Sequence, residues 1–226
     1  MKNTATYILV LIIVSVSTAF GQLEGKRFIS GNAGVGFSNQ NSEYNRSSTG
    51  YSYNVSLGLG KFKTSTKTGE WLIVSSLIGG KQNYDLPNES VNWNGITSFS
   101  LGTGYAWNFY KHFSDKFGIF GGPGLSLVYS FGKSLTNPGS IYYETKSNQV
   151  SFNLQLGAGA YYVLSERWWL TGSLAFSNPV YLSYKFGKSK PFDPGPNVDN
   201  SGFEYKLAPD FTFPSVGLGL RYFFKD

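Results

Sequence analysis

The chain of 226 residues has no cysteine, a single methionine and a single histidine, and only 14% of its residues are charged, against about 25% in an average soluble protein. The missing cysteine excludes a disulfide framework, a thiolate zinc site, a cysteine nucleophile and a lipid-modified amino terminus. One histidine excludes a histidine-rich metal site. The net charge of +6 is spread along the chain rather than gathered in a patch, so a nucleic-acid partner is not expected. No stretch approaches the ~18 consecutive apolar residues of a membrane-spanning helix. In place of these features the chain carries 28 glycines and 18% aromatic residues.

The first residues read as an address. Lys2 precedes the apolar run Tyr7–Val16, and Ala19-Phe20-Gly21 precedes Gln22. This is the anatomy of a secretory signal peptide over 1–21, leaving 22–226 as one domain. An uncleaved anchor is the alternative, and the run is well short of the ~20 residues that would need.

Beyond the leader, hydrophobicity alternates with period two, the signature of strands. Eight runs stand out: 28–38, 51–60, 71–80, 98–107, 117–131, 150–162, 168–182 and 215–224. In the sixth, Val150, Phe152, Leu154, Leu156, Ala158, Ala160 and Tyr162 face Ser151, Asn153, Gln155, Gly157 and Gly159 on the other side. The third, Trp71–Gly80, is apolar on both faces and its orientation stays open. Links 63–70, 110–116 and 165–167 are short, whereas 39–50, 81–94, 132–147 and 186–210 are long. The expected fold is all-β: an eight-stranded antiparallel up-and-down transmembrane β-barrel.

Period two leaves open which face is outside. Charge placement decides, because segments 28–42, 47–60, 71–80, 95–110, 117–132, 147–165, 168–184 and 211–220 contain no Asp, Glu, Lys or Arg. A soluble lipocalin-like or avidin-like barrel would expose charges along its outer strand faces. A lipid-facing band excludes them, since Arg or Lys at the midplane costs about 2–4 kcal/mol. Closure of the barrel also satisfies the backbone in lipid. Phe28, Phe62, Trp71, Trp107, Phe109, Phe117, Tyr162, Trp168, Tyr222 and Phe224 gather at the short-link end, and Phe37, Tyr51, Tyr53, Trp93, Tyr129, Phe131, Phe152 and Tyr184 at the other. They read as two interfacial girdles.

The last strand, Gly219-Leu-Arg-Tyr222-Phe-Phe224, resembles the carboxy-terminal signal of outer-membrane barrels, a glycine followed by aromatics at +3 and +5. Here Lys225-Asp226 follow the final aromatic, whereas the commonest form ends on it. With the strand layout, this makes the whole mature chain similar to the small eight-stranded outer-membrane barrels of the OmpA/OmpX type and to the outer-membrane β-barrel domain proteins of Gram-negative bacteria. The resemblance implies residence in the outer membrane among lipid and lipopolysaccharide. It also implies Gly219, Tyr222 and Phe224 as the signal read by the barrel-assembly machinery.

Six strands carry Gly-x-Gly (34/36, 58/60, 102/104, 122/124, 157/159, 217/219). No helix is expected after any of them, which separates them from nucleotide-binding loops. Inward glycines facing large side chains fill the taper of a narrow barrel, so Phe120, Tyr161, Trp169, Arg221 and Phe223 are the expected lumen plug at the short-link end. The other half, with Ser30, Asn32, Ser52, Asn54, Ser151, Asn153, Ser173 and Ser177, is expected to be polar. Arg221 reads either as a gate or as a residue bonded to backbone and water.

No catalytic, cofactor or metal residues are expected. His112 lies in the short link 110–116, as a solvated turn residue, away from an outer-leaflet substrate, which argues against a serine–histidine deacylase, a protease or a palmitoyl transferase. Asp85 and Glu89 share one long loop but lack the oxygen density calcium takes. The longest link, 186–210, offers Lys188, Lys190, Phe192 and Phe203 as candidate contacts with lipopolysaccharide or a protein partner, with Lys185 as a further phosphate neighbour. Segments 148–164 and 168–184 exceed the ~9–11 residues that cross a membrane and should project as a ribbon whose rim could accept another strand. The functional expectation is a non-enzymatic anchor or accessory subunit presenting its loops. A narrow pore or small-ligand conduit is the alternative, and a lipid-modifying enzyme comes third.

Overall fold

The computed structural model describes residues 23–41, 47–85, 90–136, 142–192, 195–207, 211–212 and 217–225; the segment 1–21 expected as a leader and Glu89 lie outside them. The strands are β1 (Arg27–Asn41), β2 (Ser47–Thr64), β3 (Lys67–Asp85), β4 (Ser90–His112), β5 (Phe117–Thr136), β6 (Tyr143–Val163), β7 (Trp168–Pro191), β8 (Val198–Leu207), β9 (Phe211–Thr212) and β10 (Gly217–Phe223). Consecutive strands pair antiparallel from β1 to β7, and β10 bonds to both β7 and β1 and closes the cylinder. β8, β9 and β10 follow one another along the same edge of β7, so together they form the eighth wall. The ladder between β10 and β1 covers Phe28–Gly31 opposite Leu220–Phe223. This is a closed, up-and-down eight-stranded antiparallel barrel.

The short links are tighter than the sequence alone implies. Ser65 and Thr66 alone join β2 to β3, so most of the expected link 63–70, Glu70 included, belongs to strands. The β4–β5 and β6–β7 turns share one chemistry, Ser-Asp-Lys-Phe117 and Ser-Glu-Arg-Trp168. In each the serine hydroxyl accepts from the backbone N–H of the closing aromatic, at 3.2 Å, the turn-forming use of serine.

The long links shorten as well. The segment expected as a loop over 186–210 is instead a hairpin continuing the wall, with β7 running to Pro191 and β8 returning from Val198. Its residues alternate across a strand rather than coil, so Lys188, Lys190 and Phe203 occupy ladder positions. The strand register slips between Leu154 and Leu156 of β6, opposite Ser177 and Val180. The extra residues there are Asn178-Pro179. Proline has no N–H to give the ladder, so a bulge accommodates it. The unbroken alternation expected for the seventh run is interrupted there.

The orientation of β3 is now settled: Trp71 and Ile73 are exposed while Thr68 and Glu70 are buried. The exterior is apolar along much of its length, with Val35, Leu57, Leu59, Leu101, Leu127, Phe152 and Leu182 exposed. Trp71, Trp107, Phe109, Phe117, Tyr162, Trp168 and Phe224 are exposed at the short-turn end, and Phe37, Tyr51, Tyr129 and Tyr184 at the other. Two residues expected in the first girdle are not there: Phe28 and Phe62 have zero exposure and point into the lumen. Their parity already says so, since Phe28 shares a face with Ser30, and Phe62 with Gly58 and Gly60. Position at a strand end is a weaker guide than parity. The side chain of Trp93 lies outside the described residues.

Glycine makes the lumen fit. A Cβ on Gly60 would overlap the Phe28 ring, and one on Gly159 would sit 2.6 Å from Phe120 Cζ, whereas a Cβ on Gly157 would meet nothing within 4 Å. Gly60→Ala should therefore cost about 1–3 kcal/mol of overpacking and reduce the folded fraction in a heat-dependent gel-mobility assay, while Gly157→Ala should match the wild type.

Candidate functional site

Each of the eight walls sends a side chain into the lumen near the short-turn end. Phe28 comes from β1, Phe62 from β2, Glu70 from β3, Tyr110 from β4, Phe120 from β5, Tyr161 from β6, Trp169 from β7, and Arg221 with Phe223 from β10. Tyr161 stacks on Trp169 at 4.5 Å between centroids, Trp169 meets Phe223 at 4.8 Å, and Phe62 meets Tyr110 at 5.1 Å. Phe28 touches both Phe62 and Phe223, at 5.9 and 5.7 Å. Tyr110 in turn meets Tyr161 at 5.9 Å and Phe120 at 5.6 Å, so the aromatic contacts close a ring across the lumen. Aromatic pairs in such offset and tilted geometries add about 0.5–1.5 kcal/mol each beyond area burial.

A charge pair sits within this ring. Arg221 is 3% exposed and Glu70 5%. Arg221 Nη2 lies 3.5 Å from Glu70 Oε2, and Nη1 donates to the Tyr110 hydroxyl at 2.5 Å. The guanidinium carbon lies 4.1 Å from the Phe28 ring centroid, a cation–π contact worth about 2 kcal/mol when desolvated. Ser30 donates to the other carboxylate oxygen. Glu70 faces Gly60 across the β2–β3 ladder, and a Cβ on Gly58 would overlap its carboxylate. The glycines on β2 therefore clear space for both Phe28 and Glu70.

His112 ends β4 and lies beneath the ring rather than in a solvated turn. Its Nε2 donates to the Ser65 carbonyl at 2.9 Å, and Nδ1 hydrogen-bonds with the Tyr161 hydroxyl. Its ring also stacks near Tyr110 at 6.2 Å. These contacts cap the plug from the short-turn end, and the bonds to Ser65 and Tyr161 tie a turn to β6.

Above the charge pair the lumen is polar. Ser76 and Ser100 bond at 2.7 Å, Gln155 donates to Ser126 at 2.9 Å, and Asn153 to Ser126 at 3.3 Å. Ser151 and Asn153 are buried. Higher still, Gln149 donates to Tyr181 at 2.5 Å, Thr145 and Ser189 bond at 2.9 Å, and Asn200 donates to Ser189 at 2.8 Å. The inner face of this ribbon lines a concavity of about 450 Å³ with Gln149, Ser183, Lys185, Asn200 and Glu204.

The five plug residues expected from sequence, Phe120, Tyr161, Trp169, Arg221 and Phe223, thus lie together. Phe28, Phe62, Glu70 and Tyr110 join them, and sequence reasoning missed these. For the aromatics the missed signal is parity: Tyr110 shares a face with Gly102 and Gly104. For Glu70 the signal was an acidic residue beside a very short turn and opposite paired glycines. Arg221, expected either as a gate or as a residue bonded to backbone and water, has a carboxylate, a phenol and an aromatic face as its partners. The residues expected as the assembly signal lie at the end of the eighth wall: Gly219 and Tyr222 in β10, Phe224 just after it. Lys188, Lys190 and Phe203 lie on the outward face of the ribbon, and Phe192 donates its backbone N–H to the Tyr142 carbonyl at 3.0 Å. The side chains of Asp85 and Glu89 lie outside the described residues, and among those described no three His, Asp or Glu residues gather as a metal site.

Removing one partner of a buried pair leaves the other charge stranded, at a cost of about 3–5 kcal/mol. Arg221→Met should lose about that much stability in urea unfolding of the detergent-folded barrel, and adding Glu70→Gln should restore a large part of it.

No family model matches the chain, and no curated protein matches it. Among solved structures it is similar to the outer membrane protein OprG from Pseudomonas aeruginosa, with a TM-score of 0.52 at 13% identity, over 92% of this chain and 99% of that one. At that identity the likeness is one of fold, and the fold is that of a small outer-membrane β-barrel.

Proposed function

We propose that this protein is a non-enzymatic integral barrel of the outer membrane, closed by its own side chains, that holds a rigid extracellular ribbon above the membrane for binding. The observation that carries this reading is the plug: all eight walls contribute to it, and a buried ion pair lies within it. Eight-stranded barrels enclose just enough space for side chains or one small ligand, and here the aromatic side chains take that space at one end. Membrane residence is supported by the exterior, whose exposed apolar residues extend around the barrel far beyond the few hundred Å² common on soluble monomers. The likeness to OprG and the two aromatic zones point the same way. The short turns then face the periplasm and the ribbon faces outward, as in barrels of this class. Export through the leader and reading of the last strand by the assembly machinery belong to the same proposal.

The polar concavity at the ribbon end favours a second reading, in which the outer half receives a small polar ligand. The aromatic ring below makes that half a vestibule rather than a conduit.

Planar-bilayer recordings test the reading directly. The wild type should give no discrete conductance steps, and Phe62→Ala/Trp169→Ala should introduce them. Ohmic steps from the wild type would replace the anchor with a pore.

A further inference from the structure

The ladders align side chains of β5, β6, β7 and β8 into rows around the barrel. Lys133 pairs with Lys146, Lys146 with Lys188, and Lys188 with Asp199. One row lower on the outward face come Phe131, Asn148, Phe186 and Ser201, and below that Tyr129, Val150, Tyr184 and Phe203. Three lysines therefore stand side by side across three strands, about 10 Å from first to last at the strand spacing of a sheet. They lie two residues, about 7 Å, beyond the aromatic zone. Tyr184 and Phe186, exposed at 50% and 40%, stack beneath them at 5.9 Å between centroids.

Like charges directly opposite in a ladder destabilise a sheet, so this row is costly in isolation. Glu144 offsets part of it, 3.5 Å from Lys133 and 3.3 Å from Lys146, and Asp199 lies 3.7 Å from Lys188. Lys190 faces Glu144 from the next row. On this face, among the described residues, four lysines meet two carboxylates, which leaves an excess of two positive charges. The Lys146 and Lys188 side chains are 60% and 74% exposed. A concavity of about 490 Å³ opens on the same side of the ribbon, lined by Lys146, Asn148, Phe186, Lys188, Asp199 and Ser201.

We infer that this row is a binding site for the phosphate groups of a phosphorylated lipid in the outer leaflet. Lys146 and Lys188 make the charge-assisted contacts, Lys133 and Lys190 add to the field, and the acyl chains descend over Phe186, Tyr184 and Leu182. The height of the row supports a lipid source over a free anion, because lysines just beyond an apolar aromatic zone meet headgroups wherever the zone meets acyl chains. The inference rests on the membrane placement proposed above but not on the closed lumen.

The test uses the full chain, purified in mild detergent, with native mass spectrometry counting retained bisphosphorylated lipid A. Parallel samples receive the same lipid stripped of its phosphates, or excess inorganic phosphate as competitor. Wild type should retain the phosphorylated lipid, and Lys146→Gln/Lys188→Gln should bind it roughly tenfold or more weakly. Lys63→Gln/Lys67→Gln, at the opposite end, should match wild type. Equal retention of the dephosphorylated lipid, or unchanged binding by the Lys146/Lys188 variant, would overturn the site. Full displacement by inorganic phosphate would assign it to a free anion instead. Heat-dependent gel mobility reports whether each variant folds, and its absence in the wild type would count against the membrane reading rather than the lipid site. Should the double variant fail to fold, salt titration of the wild type decides: release of lipid with rising salt supports the site, and indifference to salt refutes it.

Discussion

The barrel depends on a charge held where charge is least welcome. Desolvating an arginine and a glutamate costs several kcal/mol per ion, and this molecule offsets the cost with geometry from several strands. Arg221 reaches Glu70, the Tyr110 hydroxyl and the face of Phe28, and Ser30 supports the carboxylate. The pair thus uses β1, β3, β4 and β10 at once. The aromatic ring excludes water from the pair, and the pair gives the ring a polar centre that a purely apolar plug would lack. Such an arrangement tolerates little slippage, because moving any one strand by a residue would turn its contributor to the opposite face.

Much of this was legible in the sequence. The absence of charge from the strand bodies locates the apolar exterior, and glycines alternating with outward hydrophobics locate the narrow lumen. Phe120, Tyr161, Trp169, Arg221 and Phe223 could be assigned inward because each sits in a run with clear alternation. Phe28, Phe62 and Tyr110 stand at strand ends, where an aromatic serves equally as an interface anchor and as a plug. There parity discriminates, because successive residues of a strand point to opposite faces. Glu70 was hidden for another reason: with the β2–β3 turn judged several residues longer than Ser65-Thr66, its place on the inner face could not be read.

The ribbon was illegible in a different way. Proline, glycine and lysine over 186–210 resemble loop composition, and strand propensity there is weak. What makes the segment a strand is its partner: β8 lies along an edge of β7 that would otherwise be unpaired. Ladder pairing is a non-local property, and so are the rows it creates. Lys133, Lys146 and Lys188 are far apart in the chain and become neighbours only through register.

The seam between the first and last walls is short, four residue pairs from Phe28 to Gly31, and Arg221 sits within it opposite Ser30. Glu70, on β3, is in place as soon as the amino-terminal strands pair, but its counter-ion arrives only with the strand that completes the cylinder. Until then the carboxylate faces a lumen still open to water on one side. Closing the barrel and neutralising its buried acid are thus a single event. A chain that closes out of register leaves that acid without its cation, so the lumen itself discriminates correct closure from near misses.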